Sequence, residues 1–355
     1  MGLQRHKIRT LIVLAGLLLA GCLWIGPGGS DATNGSNAYR AAERIGRLED
    51  GQLVECSGMD ISPSTPGLFW AINDGHRSPL LFAVGANGRR LGRIWVKGAE
   101  NRDWEDIDTF RWQGRSMILI ADVGDNHRRH DTHTLYVVAE PPFNGEKFEP
   151  PGMTRVAWSV SFRYPDTRHD AEAVAVDADN LEVLILTKRD TPPILFKVPL
   201  VPPDPDRTVV AEKMATPHLP RPGQIGLLTK YAYQPTAMDI SNDGTRAVVL
   251  TYTDAYLFRR SRTQSWAEAF GGKPDRIRLP PPLEHLDLRQ REAICIAGDN
   301  ATLYVTSEGR HAGIYRLKVK RPPVGITLFP ARLPLPPDEF KTESDRETNR
   351  AAITP

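Results

Sequence analysis

Residues 171–188 read AEAVAVDADNLEVLILTK, and this stretch decides the fold. Two short runs rich in Ala, Val, Ile and Leu flank Asp179 and Asn180, which are residue types that favour a turn. Short β-prone runs separated by turn residues predict a pair of antiparallel strands. Glu172 stands at the start of the first predicted strand, and Lys188 follows the second.

The same pattern occurs five times along the chain. Each copy begins with a short motif, continues through an apolar second strand, and ends in a polar cluster. A third strand follows each copy, and weaker fourth strands can be assigned. The motifs read GMDI, WEDI, AEAV, AMDI and REAI, beginning at residues 58, 104, 171, 237 and 291. Aligned on their second residue, they share a slot that holds Met59, Glu105, Glu172, Met238 and Glu292.

This repeat predicts an all-β fold, a β-propeller. Successive slot residues are 46, 67, 66 and 54 positions apart, which is a loose period with insertions. Four short strands per unit are typical of propeller blades, which must close into a ring to bury both faces. We expect five four-stranded blades, with a strand in residues 41–54 completing the last one. Six blades and a β-sandwich are the alternatives, although a sandwich does not explain the repeat.

The N-terminus is typical of an export signal. Arg5, Lys7 and Arg9 precede the apolar run Leu11–Ala20, and small residues lead to Cys22. The segment resembles a bacterial lipoprotein signal, which implies cleavage before Cys22 and a lipid on its thiol. An uncleaved anchor is the alternative, but the run is shorter than the roughly 20 residues that a spanning helix needs.

The chain then divides into four predicted parts. These are a signal peptide (residues 1–21), a flexible tether (22–40), one propeller (41–335) and a disordered tail (336–355). Removing the basic residues of the signal peptide turns the net charge of +2 into −1, which disfavours a nucleic-acid partner. We expect a monomer that is anchored to the cell envelope and binds a small molecule or an envelope protein. Two further cysteines, Cys56 and Cys295, are expected to stay unpaired.

The predicted strand ends meet at one mouth of the central tunnel. Because the two inner strands of a blade run antiparallel, the start of the first and the end of the second lie on the same face. Glu105, Glu172 and Glu292 would then converge, and like charges at close range need an opposing charge. With Asp122 they form a candidate site for Ca²⁺ or Mg²⁺, which prefer oxygen ligands. In the alternative, each glutamate is held by a neighbouring arginine or by backbone N–H groups.

Other polar residues at this mouth are candidates for binding and catalysis. His169 and Asp125 are candidate general bases, although His169 also fits a loop histidine bonded to a neighbour. No Gly-x-Ser-x-Gly, Walker, His-Glu-x-x-His or Cys-x-x-Cys motif occurs. The predicted substrate-binding residues are Asn73, Asp74, Trp104, Asn126, Lys188, Arg189, Tyr252 and Glu308.

The strings SGMDISP, AINDG, DWEDID, ADVGDN, HDAEAV, REAI and TSEG resemble a family of secreted bacterial β-propeller lipoproteins, described as esterase-like or phytase-like. The resemblance covers about residues 55–320 and implies a fold and an export address more than a reaction. More distantly, the three glutamates resemble the calcium-dependent propeller lactonases, which implies calcium in the tunnel. Met59 and Met238 depart from a uniform acidic ring.

Two functions follow from these observations. The first is a membrane-anchored, exported propeller that binds a ligand or partner at its acidic mouth, with Ca²⁺ as a candidate cofactor. The alternative is a metal-dependent hydrolase of an ester, lactone or phosphate, in which the cation polarises the substrate oxygen. They differ in whether the mouth holds a cation with an open coordination position.

Overall fold

The computed structural model describes residues 38–220, 229–280 and 290–320. The predicted signal peptide, Cys22, most of the tether and the tail lie outside the described residues. Tyr39, predicted to be tether, already belongs to the fold: it is buried and forms a β-bridge with Val319. The first strand, β1 (Glu43–Arg47), follows it.

Five antiparallel four-stranded units can be followed through the described residues. The first comprises β2 (Cys56–Ile61), β3 (Leu68–Asn73), β4 (Leu80–Gly85) and β5 (Arg90–Lys97), and the second comprises β6 (Trp104–Trp112), β7 (Arg115–Asp122), β8 (His133–Ala139) and β9 (Phe148–Arg163). The third comprises β10 (Ala171–Asp177), β11 (Glu182–Thr187), β12 (Leu195–Pro199) and β14 (Glu212–Ala215), while β13 (Val209–Val210) pairs with β9. The fourth comprises β15 (Pro235–Ile240), β16 (Arg246–Thr251), β17 (Asp254–Arg259) and β18 (Asp275–Arg278). The fifth comprises β19 (Arg291–Ile296), β20 (Leu303–Ser307), β21 (Gly313–Leu317) and β1.

The innermost strands of these units form a ring. Strand β2 contacts β6, β6 contacts β10, and the contacts continue through β15 and β19 back to β2. Such a closed series of sheets confirms the predicted all-β propeller and is not the geometry of a β-sandwich. The total number of blades stays a prediction.

The hydrophobic core lies between neighbouring units. Each of five clusters of buried side chains takes residues from two adjacent units. Trp70 of the first unit shares a cluster with Ile118 of the second, for example. Side chains alternate between the two faces of a strand, so each sheet has two apolar faces and buries both only between two neighbours. Ring closure therefore follows from the sequence pattern.

The N-terminal strand closes the last unit, as predicted. Strand β1 pairs antiparallel with β21, with Arg47 opposite Gly313. Just after it, Leu48 is buried in the cluster between the fifth and first units. The N-terminal segment thus completes one unit and packs against the next one.

Helices contribute little to the described structure. α1 (Thr229–Ala232) is a single turn, and α2 (Trp266–Gly271) is capped by Ser265, whose side chain accepts from the N–H of Glu268. Nowhere in the described ranges does a helix have the length and apolar character needed to cross a membrane.

Two of the cysteines lie in the described residues. Both Cys56 and Cys295 are buried and free. The expectation that they stay unpaired is confirmed in the structure.

Candidate functional site

Each innermost strand carries a β-bulge near its first residue. In β6 the paired residues are Trp104 and Asp106, so Glu105 is the extra residue between them. A bulge redirects its extra side chain, and the bulges therefore place three glutamates at matching positions around the ring. The equivalent bulges of β2, β10, β15 and β19 hold Ser57, Glu172, Thr236 and Glu292.

The predicted placement of Met59 and Met238 in this position is wrong. Each lies two residues farther along its strand and packs in a hydrophobic cluster between units. The positions equivalent to the glutamates are Ser57 and Thr236. Since side chains in a strand repeat with a period of two, a shift of two residues keeps the same face pattern and is not visible in the motif.

The second strands end beside the bulges. The register places Asp74, Val123, Lys188, Tyr252 and Glu308 one residue beyond the last pair of their units. Strand starts and strand ends therefore meet on one face, as predicted. We call Glu105, Glu172, Glu292, Asp74, Lys188, Tyr252 and Glu308, together with Asp103, the acidic mouth.

Three carboxylates of the acidic mouth form a carboxylate triad. Oxygens of Asp74, Asp103 and Glu105 lie within 4.8 Å of one another. Burial raises the pKa of Glu105 well above its usual range, and Glu172 and Asp74 raise it further. Burial, followed by the charge of Asp74, raises the pKa of Asp103 to about 7. The triad therefore holds protons near neutral pH unless a cation replaces them.

Glu105 lacks a partner in this triad. The side chain is 5% exposed, and no group in the described part of the chain donates a hydrogen bond to its oxygens. Buried polar atoms are normally paired. An unpaired, buried carboxylate beside two others has the donor chemistry of a hard-cation site.

Two glycines make room for the triad. A Cβ on Gly124 would lie 2.6 Å from Oδ2 of Asp103 and would also contact Oε1 of Glu105. A Cβ on Gly75 would contact Oδ1 of the same aspartate. Both glycines directly follow the mouth residues of their second strands, so the carboxylates fill space that any other residue type would take.

Lys188 places its ammonium group among the carboxylates of the acidic mouth that lie outside the triad. Its Nζ contacts Oε2 of Glu172 and lies 5.2 Å from the centre of the Tyr252 ring. Burial opposes the charge of this lysine, but Glu172 raises its pKa above the usual range, and we assign the pair as ionised. Glu172 is thus held by a protein group, as in the alternative without a metal, but its partner is a lysine of its own unit. The structure does not group it with the triad.

Two further glutamates of the acidic mouth keep protons. Burial raises the pKa of Glu292 to about 8, although Lys188 opposes the shift. Burial and the charge of Asp74 raise the pKa of Glu308 to about 8. Glu308 is partly exposed and accepts a hydrogen bond from Nε2 of Gln290 at 2.9 Å. Both groups hold a proton near neutral pH.

Asp122 accepts backbone hydrogen bonds at the mouth, and its metal ligation stays a prediction. Its Oδ1 accepts from the N–H of Asp103 at 2.9 Å, and its Oδ2 accepts from the N–H of Arg102 at 3.4 Å. Both oxygens are therefore occupied by backbone donors. These bonds hold the segment that carries Asp103.

Asn73 and Trp104 are buried and hydrogen-bonded to the backbone. The Oδ1 of Asn73 accepts from the N–H groups of Val54 and Glu55, both at 3.1 Å. Trp104 is fully buried, and its Nε1 donates to the carbonyl of Glu100 at 2.8 Å. Both residues hold loops and core in place, and their role in ligand binding stays a prediction.

Asn126 and Arg189 pair with each other at the rim of the mouth. The guanidinium of Arg189 contacts Oδ1 of Asn126, and its Nε donates to Oδ2 of Asp170 at 2.5 Å. The charge of Arg189 is thereby matched by Asp170. Neither side chain joins the triad.

The candidate bases His169 and Asp125 are both occupied. The Nδ1 of His169 lies 2.8 Å from Asp190, and its Nε2 lies 3.0 Å from Asp166. Burial lowers its pKa, but these two hydrogen bonds outweigh burial and raise it. The oxygens of Asp125 accept from the N–H groups of Arg129 and His130 at 2.7 and 2.8 Å. Both ring nitrogens of His169 thus face carboxylates and both oxygens of Asp125 accept backbone N–H groups, and their roles as general bases stay predictions.

Sequence reasoning missed a set of aspartates inside the tunnel. Each is buried and accepts a hydrogen bond from the backbone of another inner strand: Asp60 from Thr109 at 2.6 Å, Asp106 from Val174 at 2.9 Å, Asp108 from Val176 at 2.6 Å and Asp239 from Ile296 at 2.5 Å. Burial raises the pKa of Asp60 to about 6. These side chains tie the inner strands together.

Asp103 was also missed, although a signal for it exists. It directly precedes the WEDI motif, in the place that Asp170 takes before AEAV. The recurrence of an acid at this place marks the strand entry. The WEDI motif begins one residue after Asp103 and so does not include it.

Comparisons with known proteins give only distant structural similarity. No protein-family model matches the chain, and no curated protein matches it. A gluconolactonase from Xanthomonas campestris is similar with a TM-score of 0.37 and 13% identity, over 71% of this chain and 68% of that one. Hydrazine synthase of Kuenenia stuttgartiensis is similar with a TM-score of 0.36 and 8% identity, over 75% of this chain and 72% of that one. A chain of a nidogen/laminin complex is similar with a TM-score of 0.38 and 11% identity, over 72% of this chain and 73% of that one. Likeness this distant carries no information on activity, and the resemblance to lipoprotein propellers and lactonases stays a prediction.

Proposed function

We propose that this protein is a propeller that binds a ligand at its acidic mouth with the help of a hard divalent cation, Ca²⁺ or Mg²⁺. The carboxylate triad would hold the cation. The observation that carries the proposal is Glu105, which is buried without a hydrogen-bond donor beside Asp74 and Asp103.

The donor set of the triad suits this class of ion. Ca²⁺ takes six to eight oxygen ligands, and three carboxylates leave positions for water or for ligand oxygens. The triad contains no His or Cys, which are the ligands that favour Zn²⁺. Because Asp74 and Asp103 are partly exposed, a ligand can approach from the open side of the mouth.

Ion pairs within the protein account for the charge of only some carboxylates of the acidic mouth. Lys188 neutralises Glu172, which needs no added ion. In the second unit, Val123 takes the position of Lys188 and supplies no charge. Lys188 lowers the pKa of Glu105 but is paired with Glu172, so a cation at the triad would supply Glu105 with an opposing charge of its own.

Calorimetric titration of CaCl₂ and MgCl₂ into the protein tests the cation. We expect saturable binding that falls at least about tenfold in Glu105→Gln, because a neutral amide replaces a charged ligand. Binding should strengthen from acidic to neutral pH, since the protonated triad must release protons.

Glu146→Gln is the matched control, because Glu146 is exposed and its side chain makes no hydrogen bond or ion pair in the described structure. It should bind as the parent does. Absence of saturable heat with either ion, or equal affinity in the Glu105 and Glu146 variants, would rule out a cation at the triad.

A second candidate function is a metal-dependent hydrolase of an ester, lactone or phosphate. The specific observation is Glu308, which is partly exposed at the mouth and has a pKa of about 8. A group that holds a proton near neutral pH suits general acid–base catalysis. A bound cation would supply polarisation of the substrate oxygen.

A panel of esters, lactones and phosphates, assayed with and without Ca²⁺, separates the two functions. A hydrolase should show turnover that needs the cation and is lost in Glu308→Gln. Cation binding without turnover on the whole panel supports the binding function.

We further propose that the protein is exported and anchored to the cell envelope through lipid on Cys22, and that it acts as a monomer. The basic and apolar N-terminal residues support this address. Cys22→Ala should move the protein from the membrane fraction to the soluble fraction. A variant that still sediments with membranes would contradict lipidation.

A further inference from the structure

A cavity of about 500 Å³ lies on the mouth face of the second unit, beside the loop that leads to the third unit. Two loops line it: residues 128–131, which follow β7, and residues 163–168, which lead into β10. Strand β7 ends at the mouth and β10 begins there, so both loops belong to that face. The charged lining residues are Arg128, His130, Asp131, Arg163, Asp166 and Arg168.

The acidic groups of this cavity are already paired. Asp131 accepts from Arg168 at 2.7 Å, and Asp166 lies 3.0 Å from Nε2 of His169. Arg128 donates to Asp190, which lies outside the lining, at 2.9 Å. The carboxylates therefore do not repel an anion with unbalanced charge.

Arg163 differs from the other two arginines that line the cavity, which each pair with a carboxylate. In the described part of the chain its guanidinium has neither a carboxylate partner nor a hydrogen bond. Its backbone is nevertheless fixed, because its carbonyl accepts from the N–H of Ala211 at 2.9 Å. A fixed backbone carrying an unpaired, exposed guanidinium presents a positive charge to the cavity.

The opposite loop is held as firmly. Asp125 accepts from the N–H groups of Arg129 and His130, and Arg128 donates its own N–H to the carbonyl of Asp125 at 2.8 Å. A wall that is ordered before binding loses little entropy on binding. Asp125, which is also a predicted general base, shapes this wall.

We propose that this cavity binds an oxyanion group, such as a phosphate, sulfate or carboxylate, carried by a larger organic molecule. Arg163 binds the oxyanion through its planar fork, while Arg168 stays paired with Asp131. An arginine fork matches the oxygens of such groups in two parallel hydrogen bonds. The volume falls in the range of organic ligand pockets of about 300–1,000 Å³ and exceeds what a single inorganic anion fills.

This site is independent of the proposed cation site. None of its lining residues belongs to the carboxylate triad. Glu105→Gln should therefore leave oxyanion binding intact, and loss of either site can be recognised without the other.

Calorimetric titration with inorganic phosphate, sulfate and acetate, each at an ionic strength held constant with NaCl, tests the proposal. We expect saturable binding of at least one oxyanion. In Arg163→Gln this binding should be at least about tenfold weaker, or no longer detectable, because a charge-assisted pair is lost. Arg163→Lys should be intermediate, since it keeps the charge without the fork. The order of the three anions identifies the group that the natural ligand carries.

Arg207→Gln is the matched control, because Arg207 is an exposed arginine outside the cavity. Its oxyanion affinity should equal that of the parent, and thermal unfolding checks that each variant is folded. The proposal is overturned if no oxyanion binds saturably, if Arg163→Gln and Arg207→Gln bind alike, or if NaCl alone competes equally well.

Discussion

At the scale of single residues, the neighbour of each bulge glutamate decides its charge state. Glu172 and Glu105 occupy matching bulges. Lys188 stands beside the first and forms an ion pair with it, whereas apolar Val123 takes the corresponding place in the second unit. Glu105 therefore lies beside other carboxylates without a lysine partner. The replacement of a lysine by a valine between the two repeats thus separates a structural ion pair from a candidate metal ligand.

Gly124→Ala tests whether the triad needs the space beside it. The added methyl group would displace the carboxylates of Glu105 and Asp103. We expect Ca²⁺ affinity to fall at least about tenfold and the free energy of unfolding to fall by about 1–3 kcal/mol, the usual cost of overpacking. Calorimetry and chemical denaturation measure the two effects.

Gly51→Ala is the control for that substitution, because a Cβ there meets no atom within 4 Å. It should change neither quantity. If both variants bind Ca²⁺ equally, the triad is not the cation site.

At the scale of elements, the inner strands combine a bulge with buried aspartates. The bulge points a polar side chain to the mouth, and three positions beyond it Asp108 accepts a hydrogen bond from the backbone of the next inner strand. The same strand therefore carries the candidate site and the bond that fixes its position in the ring. Geometry at the mouth is rigid because the elements beneath it are tied together.

Leu48→Ala tests the closure made by the N-terminal segment. Leu48 is buried between the fifth and first units. Truncating a buried leucine costs about 2–5 kcal/mol, so the free energy of unfolding should fall by that amount in chemical denaturation.

Leu181→Ala provides the comparison, since Leu181 is 46% exposed and should lose under about 1 kcal/mol. Equal losses in the two variants would show that the segment around Leu48 does not hold the ring closed.

At the scale of the whole molecule, the ring concentrates acid on one face. Asp74, Glu105 and Glu292 come from three different units, and the charge of Asp74 raises the pKa of the other two. A closed ring cannot relieve this repulsion by spreading apart, because each unit is packed on both sides. Protonation or cation binding must relieve it instead.

Glu292→Gln tests this coupling through the pH dependence of stability. Burial raises the pKa of Glu292 to about 8, against a usual value of 4.5. Below pH 4.5 both the folded and unfolded chains hold the proton, and the contribution of Glu292 to stability is full. As the pH rises to about 8 only the unfolded chain releases it, so that contribution declines, by up to about 1.4 kcal/mol per pH unit.

The measurement is the free energy of unfolding of parent and variant between pH 4 and 9, without divalent cations. The difference, parent minus variant, should fall between the two pKa values and level off above about pH 8. A difference that stays constant with pH would contradict the raised pKa.

The sequence by itself determined the repeat, the strand order within each unit and the face that carries the acid. Alternating apolar residues and turn pairs such as Asp179-Asn180 are local signals, and they were enough to predict the propeller and its closure by the N-terminal strand. The same signals placed Glu105, Glu172 and Glu292 at one mouth.

Only the tertiary structure decided which of these residues act together. A bulge shifts the register without leaving a mark in the spacing, so Met59 was placed where Ser57 lies. The partners of a charge come from other units: Asp74 and Asp103 join Glu105, while Asp190 and Asp166 occupy His169. Such contacts link residues far apart in the chain and depend on how the ring closes, which no local pattern specifies.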